Sequence, residues 1–161
     1  MGNKAKNDEE GIQVICRNKR AFHDYEISDR LECGLVLTGT EVKGLREGLA
    51  SLEEAYARID EDEVWLINSD IPEYSMGNRL NHKPKRSRKL LLHKSELAKF
   101  AGKATQRGFT LVPLRMYFKE GRAKVEVGVA RGKQHHDKRQ DQKTAEAQRA
   151  IRRAMMERRR Q

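Results

Sequence analysis

A chain of 161 residues with 34 Lys+Arg against 24 Asp+Glu, a formal net charge of +10, and 37% hydrophobic residues has apolar material for one core with extensions, not for two self-sufficient domains. The charge excess points to a phosphate-rich partner, and no stretch approaches the ~20 apolar residues that a membrane span needs. Two cysteines without a CxxC pair, Cys16 and Cys33, read as reduced, buried side chains and not as a disulfide framework or metal pair.

The polar start, "MGNKAKNDEEG", has no apolar h-region, so no signal peptide is expected and the protein reads as cytoplasmic. Lys6 stands where a myristoylation signal needs Ser or Thr. "NKRAFHDYEI" opens on Asn18, a helix N-cap, and gives way near Tyr25 to extended structure. In this stretch Phe22 is expected in the core, while His23 beside Lys19 and Arg20 suits contact with RNA. "LECGLVLTG" is β-prone through Leu37 and broken at Gly39. "TEVKGLREG" predicts a short helix with Thr40 as its cap, Glu41 in its first turn and Gly48 at its stop.

"EAYARID" and "EVWLINSDI" predict a hairpin around Glu61, and "PEYSMGNRLNHKP" from Pro72 to Pro84 predicts a long loop with room for a function. A helix follows, with Leu97, Phe100, Ala101 and Ala104 at helical spacing and Gly108 as stop. "TLVPLRMYF" and "AKVEVGVARG" make a second hairpin. About six short strands with one longer helix are most simply a closed or nearly closed antiparallel barrel, a mainly β fold with peripheral short helices.

Charge is segregated. Leu31 to Leu80 carries eleven acids and four bases, Lys83 to Arg107 nine bases and the single acid Glu96, and Gly132 to Gln161 ten bases and four acids. Such polarity orients an approaching polyanion. Lys83, Lys85, Arg86, Arg88 and Lys89 precede or enter a strand, so alternate side chains are expected to face outward, either to meet phosphates or to protect a sheet edge. Lys89 is taken as an RNA contact.

The last thirty residues contain Ile151, Met155 and Met156 as their only large apolar groups, too few to offset the entropy of ordering, so a tail disordered when free is expected. Ala147, Ile151, Ala154 and Met155 nevertheless recur at helical spacing, with arginines late in the run, which predicts a helix that forms on a surface. Within the tail, His135, His136 and Asp137 could suggest a metal or catalytic site. No further ligand stands near for zinc, and Asp137 is followed by the pairing partners Lys138 and Arg139 instead of a second catalytic acid. An imidazole can also stack on a splayed base, which needs only the residues present.

Four stretches, "NKRAFHDYEI", "GLVLTGTEVKGLREG", "RSRKLLLHKSEL" and "VEVGVARGKQHHDKR", together resemble the SsrA-binding protein family of bacteria, also called small protein B. The resemblance implies an OB-like β-barrel that binds the tRNA-like part of transfer-messenger RNA for trans-translation on stalled ribosomes, without chemistry, cofactor or metal of its own. It implies RNA contacts at Asn18, Lys19, Arg20 and His23, with Glu32, Leu91 and Lys124. It assigns the tail to the decoding region and the empty mRNA channel, where it becomes helical, with Gly132 as hinge, Lys133, His136, Asp137, Lys138 and Arg139 as contacts, and Ile151 and Met155 seating the helix.

Gly44 replaces a serine of the usual motif, and Gln134 a lysine. The expected organisation is a flexible N-terminus over 1–13, an RNA-binding body over 14–131 and the tail over 132–161. A monomer with no membrane contact is expected, with transfer-messenger RNA and the ribosome as partners. A structural ribosomal protein whose arm threads ribosomal RNA is the second reading of the same features, and a metal-dependent nuclease the third.

Overall fold

Alternating apolar side chains build seven strands among the residues that the computed structural model describes, 11–158, with the side chains of 135–138, 154, 157 and 158 outside that description. In chain order they are β1 (Ile12–Arg17), α1 (Lys19–Asp24), β2 (Tyr25–Leu35), α2 (Gly39–Arg46), β3 (Tyr56–Asp60), β4 (Glu63–Ile67), β5 (Arg88–Leu91), α3 (Lys94–Ala104), β6 (Phe109–Lys119), β7 (Arg122–Gly132) and α4 (His135–Arg158). Every pairing is antiparallel, in the order β1-β6-β3-β4-β5-β2-β7. Because β6 also pairs with β7, six strands form a ring, closed between β3 and β6 by Ala57 opposite Leu111. The expected barrel is therefore present, and closure removes the open edges that a sheet would otherwise expose.

The two hairpins turn where expected. Glu61 and Asp62 have φ of 45° and 62°, and Glu120 and Gly121 follow with 51° and 73°, the left-handed conformations that fit the twist of paired strands. β1 was not foreseen. It begins at Ile12, itself buried, and pairs along β6, so the body starts before residue 14. Residues 1–10 lie outside the described residues.

The barrel interior holds Val125, Val127 and Val129 of β7 with Leu66, Leu111 and Met116, and α3 adds Phe100. Both cysteines are free, and burial pushes their thiols up to about 12, which leaves them inert at neutral pH. A smaller cluster forms under α1, where Ala21 packs on Val112, Leu114 and Ala130. Gly128 permits this close approach, since a Cβ there would meet Ile27 at 3.0 Å and Leu114 at 3.1 Å.

Two expectations change. The cap of α2 is Thr38, whose amide donates to the Glu41 carboxylate at 2.8 Å; the helix begins at Gly39, where a break was expected. The Pro72–Pro84 loop is tied down: Asn81 bonds both the amide and the carbonyl of Tyr74, and the buried His82 bridges Thr40 and the Ile71 carbonyl at 2.9 and 2.8 Å. Nε2 donates to that carbonyl, and in the neutral ring this leaves Nδ1 to accept from the Thr40 hydroxyl. Of the alternating basic residues that enter β5, Arg88 is the one turned inward, fully buried against Glu41.

Candidate nucleic-acid interface

α1 is held by its cap. The Asn18 Oδ1 accepts the Ala21 amide at 3.0 Å, and its Nδ2 donates to the carbonyls of Leu52 and Pro113 at 2.9 and 3.1 Å. The Asn18 backbone amide donates to the Leu114 carbonyl at 2.7 Å. Those two β6 carbonyls lie at the Pro113–Arg115 bulge, where the ladder to β7 is interrupted. Asn18 is 2% exposed. Both its amide hydrogens point inward, where Asn18 positions α1.

The residues it positions are exposed. Lys19 projects into solvent. Arg20 donates to Asp24 at 3.3 Å and keeps most of its side chain exposed, while the half-exposed His23 sets Nδ1 2.9 Å from the same carboxylate. Phe22, expected in the core, lies at the surface with the Arg30 guanidinium 5.6 Å from its ring centroid. Ala21 takes the inward position instead.

A second cluster gathers residues from three strands. Glu32, Leu91 and Lys124 line one concavity of about 410 Å³ together with Leu92, His93 and Glu96. Gly34 explains the approach, because it is paired with Leu91 on one side and Lys124 on the other, and a Cβ would sit 3.3 Å from that of Leu91. Half-exposed Leu91 offers an apolar surface. Glu32 accepts from the Tyr117 hydroxyl at 2.5 Å and has the Lys119 and Lys124 ammonium groups at 3.4 and 3.5 Å. The Tyr117 hydrogen bond, more than the lysine charges, holds its carboxyl below the usual range.

Lys89 shares the outward face of β5 with Leu91, and its ammonium meets Glu63. Of the rest of that basic block, Lys83 is exposed, Lys85 pairs with Glu54 at the surface, and Arg86 and Arg88 both pair with Glu41. The α1 cluster and the Glu32 cluster stand at opposite ends of the β2·β7 ladder, about 20 Å apart at the rise of a strand.

The tail leaves from the α1 end. Gly132 is still paired with Tyr25, and the Lys133 amide donates to the Asp24 carbonyl at 2.9 Å, so the chain leaves the sheet beyond Lys133. The Lys133 ammonium caps the Phe22 carbonyl at 3.2 Å and pairs with Asp141, and the Gln142 amide lies 3.4 Å from the His23 ring. Along α4, Arg139 is exposed, and Ile151 and Met155 are exposed one turn apart. The side chains of His136, Asp137 and Lys138 lie outside the described residues. Arg30, Tyr117 and Lys119 were missed by sequence reasoning: Arg30 alternates with Glu32 on β2, but Tyr117 comes beside Lys124 only through the β6–β7 pairing, with Lys119 two residues on.

Comparison with known proteins adds three findings. A family model described as SmpB protein matches residues 15–157. The chain is 54% identical over 160 residues to the SsrA-binding protein of Thermobifida fusca, covering 99% of this chain and 100% of that one, and 54% identical over 147 residues to that of Saccharopolyspora erythraea, covering 91% and 93%. A solved chain described as tmRNA–SmpB at the centre of the bacterial ribosome superposes with a TM-score of 0.65 at 47% identity, covering 78% of this chain and 87% of that one.

Proposed function

The chain belongs to the SmpB protein family, and from that premise we propose that it is an RNA-binding adaptor that binds the tRNA-like part of transfer-messenger RNA and delivers it to stalled ribosomes for trans-translation. The observation that carries this reading is the pair of exposed clusters at the two ends of the β2·β7 ladder, Lys19, Arg20 and His23 at one end and Glu32, Leu91 and Lys124 at the other. Their spacing suits a folded RNA read by shape, phosphates and splayed bases, not a small ligand. Lys89 adds a cation beside the second cluster.

The role requires no chemistry, metal or cofactor from the protein, and the place of action is the cytoplasm. The body acts as a monomer on the RNA. The tail, 132–161, works on the ribosome: Gly132 and Lys133 fix its exit, His136, Asp137, Lys138 and Arg139 meet the decoding region, and Ile151 and Met155 seat the helix in the empty mRNA channel. Its exposed apolar pair packs on nothing among the described residues, and a helix without tertiary packing is marginal in water, so α4, although helical in this structure, orders stably only when it binds.

Affinity for the tRNA-like RNA should fall steeply with salt, because each phosphate contact releases counterions. Replacing Lys19 or Arg20 with Ala should lower the slope of log affinity against log salt by roughly 0.7–0.9 each. Filter binding at a series of potassium concentrations measures it. A slope unchanged by both substitutions would remove α1 from the interface.

A further inference from the structure

The outer face of β2, β7 and β6 carries Arg30 and Glu32, Lys124 and Glu126, and Arg115, Tyr117 and Lys119 at alternate positions. In register, Glu32 is opposite Glu126, Arg115 opposite Glu126, and Tyr117 opposite Lys124. Tyr117 is 2% exposed and cannot reach a partner itself. Its hydroxyl nevertheless makes the shortest contact to the Glu32 carboxylate. The ring is fixed from elsewhere: the Arg115 guanidinium lies 5.1 Å from its centroid, and Arg115 is itself held by Glu126 at 2.7 Å.

A carboxylate on a surface that collects phosphates repels them, so Glu32 must accept from a donor on the RNA, the amino edge of a base or a 2′-hydroxyl. One of its oxygens, Oε2, is occupied by Tyr117 and Lys119, and among the described residues Oε1 has only Lys124 at 3.5 Å. We propose that Tyr117 is a positioning residue for RNA recognition, fixing the Glu32 carboxylate so that Oε1 is presented to that donor. Without the hydroxyl, the carboxylate is free to turn onto Lys119 and Lys124, which withdraws the acceptor and neutralises two cations together. The inference rests on the placement of Glu32 in the RNA interface.

A double-mutant cycle in the full-length chain tests it against the tRNA-like part of transfer-messenger RNA. Tyr117→Phe keeps the ring and should weaken binding about tenfold, the scale of a hydrogen bond to a charged group. In a Glu32→Ala background the same change should cost less than about twofold, because the residue through which it acts is gone. An equal loss in both backgrounds, or no loss in either, overturns the proposal. If Glu32→Ala alone leaves affinity unchanged, it is the placement of Glu32 in the interface that falls.

A pH series gives a readout that packing alone would not move. The hydrogen bond from Tyr117 depresses the Glu32 carboxyl, so Y117F should lose affinity at a higher pH than the parent as acid is added. Coincident profiles overturn the proposal. RNA with 2′-deoxy sugars in its loops separates the two donors: a Glu32 effect that disappears assigns a 2′-hydroxyl, and one that persists assigns a base edge.

Discussion

A chain ended after Gln134 should bind the tRNA-like RNA with most of the affinity of the whole protein and fail to support tagging of stalled products. The cut is placed there because Lys133 belongs to the body, its amide on the Asp24 carbonyl and its ammonium on the Phe22 carbonyl. Ending the chain after Arg131 would remove both bonds and loosen α1, each worth about 1 kcal/mol, and would confuse the two roles. Beyond Gln134 no described residue contributes to either hydrophobic cluster, so the barrel should unfold at nearly the same temperature. Tagging by a reconstituted system on a truncated message reads the other half. Far-UV circular dichroism should also differ little in helix content between the two free proteins, since the tail orders on binding. A loss of helix matching the full length of α4 would contradict disorder in the free chain, and a large loss of RNA affinity would contradict the division between body and tail.

Arg88→Ala should lower the unfolding free energy by about 3–5 kcal/mol, the cost of leaving a buried charge without its partner, with a drop in Tm on the order of 10–20 °C. Arg88 and Glu41 are both 0% exposed, joined at 2.9 Å, and the same guanidinium donates to Ser69 and to the backbone carbonyls of Ser69, Arg86 and Pro84. It therefore ties α2, the entrance to β5 and the segment after β4 to one point. Lys cannot supply that planar set of donors, so Arg88→Lys should rescue little.

Glu41 has a matching pH signature. Burial pushes its carboxyl up, but bonds from Arg86 and the Thr38 amide, with the charges of Arg88 and Arg86, outweigh this and leave it depressed. A depressed folded-state pKa contributes stability above the ordinary value of 4.5 that is lost as pH falls below it. Urea unfolding at pH 7 and at pH 3 should show the R88A defect shrinking in acid. A defect equal at both, or below about 1 kcal/mol at neutral pH, would mean that the pair is not what secures the barrel.

These effects mark where the sequence could be read and where it could not. The hairpins at Glu61 and Glu120 and the helix around Phe100 were visible because turn chemistry and periodicity are local. β1 was hidden because the register shift between Val14 and Cys16 breaks its alternation. Alternation with an outward Lys89 turns Arg88 inward, but its partner was hidden because Glu41 lies 47 residues away, and a basic residue entering a strand gives no sign that an acid waits inside. Thr38 was legible after all, since Thr38 to Glu41 has the spacing of a capping box.

For the interface, the charge pattern pointed to RNA but could not assemble Glu32, Leu91 and Lys124, which meet only when β5 and β7 flank β2. Resemblance supplied those three residues. It also supplied Asn18, whose burial it could not give: the side-chain amide is bonded to the carbonyls of Leu52 and Pro113.

The most direct measurement is to purify the tagged full-length protein from cells and sequence the RNA that comes with it. A single dominant transfer-messenger species is the predicted result. Bulk ribosomal RNA in stoichiometric amounts, with no enrichment of that species, would contradict the adaptor role and make the protein a structural component of the ribosome.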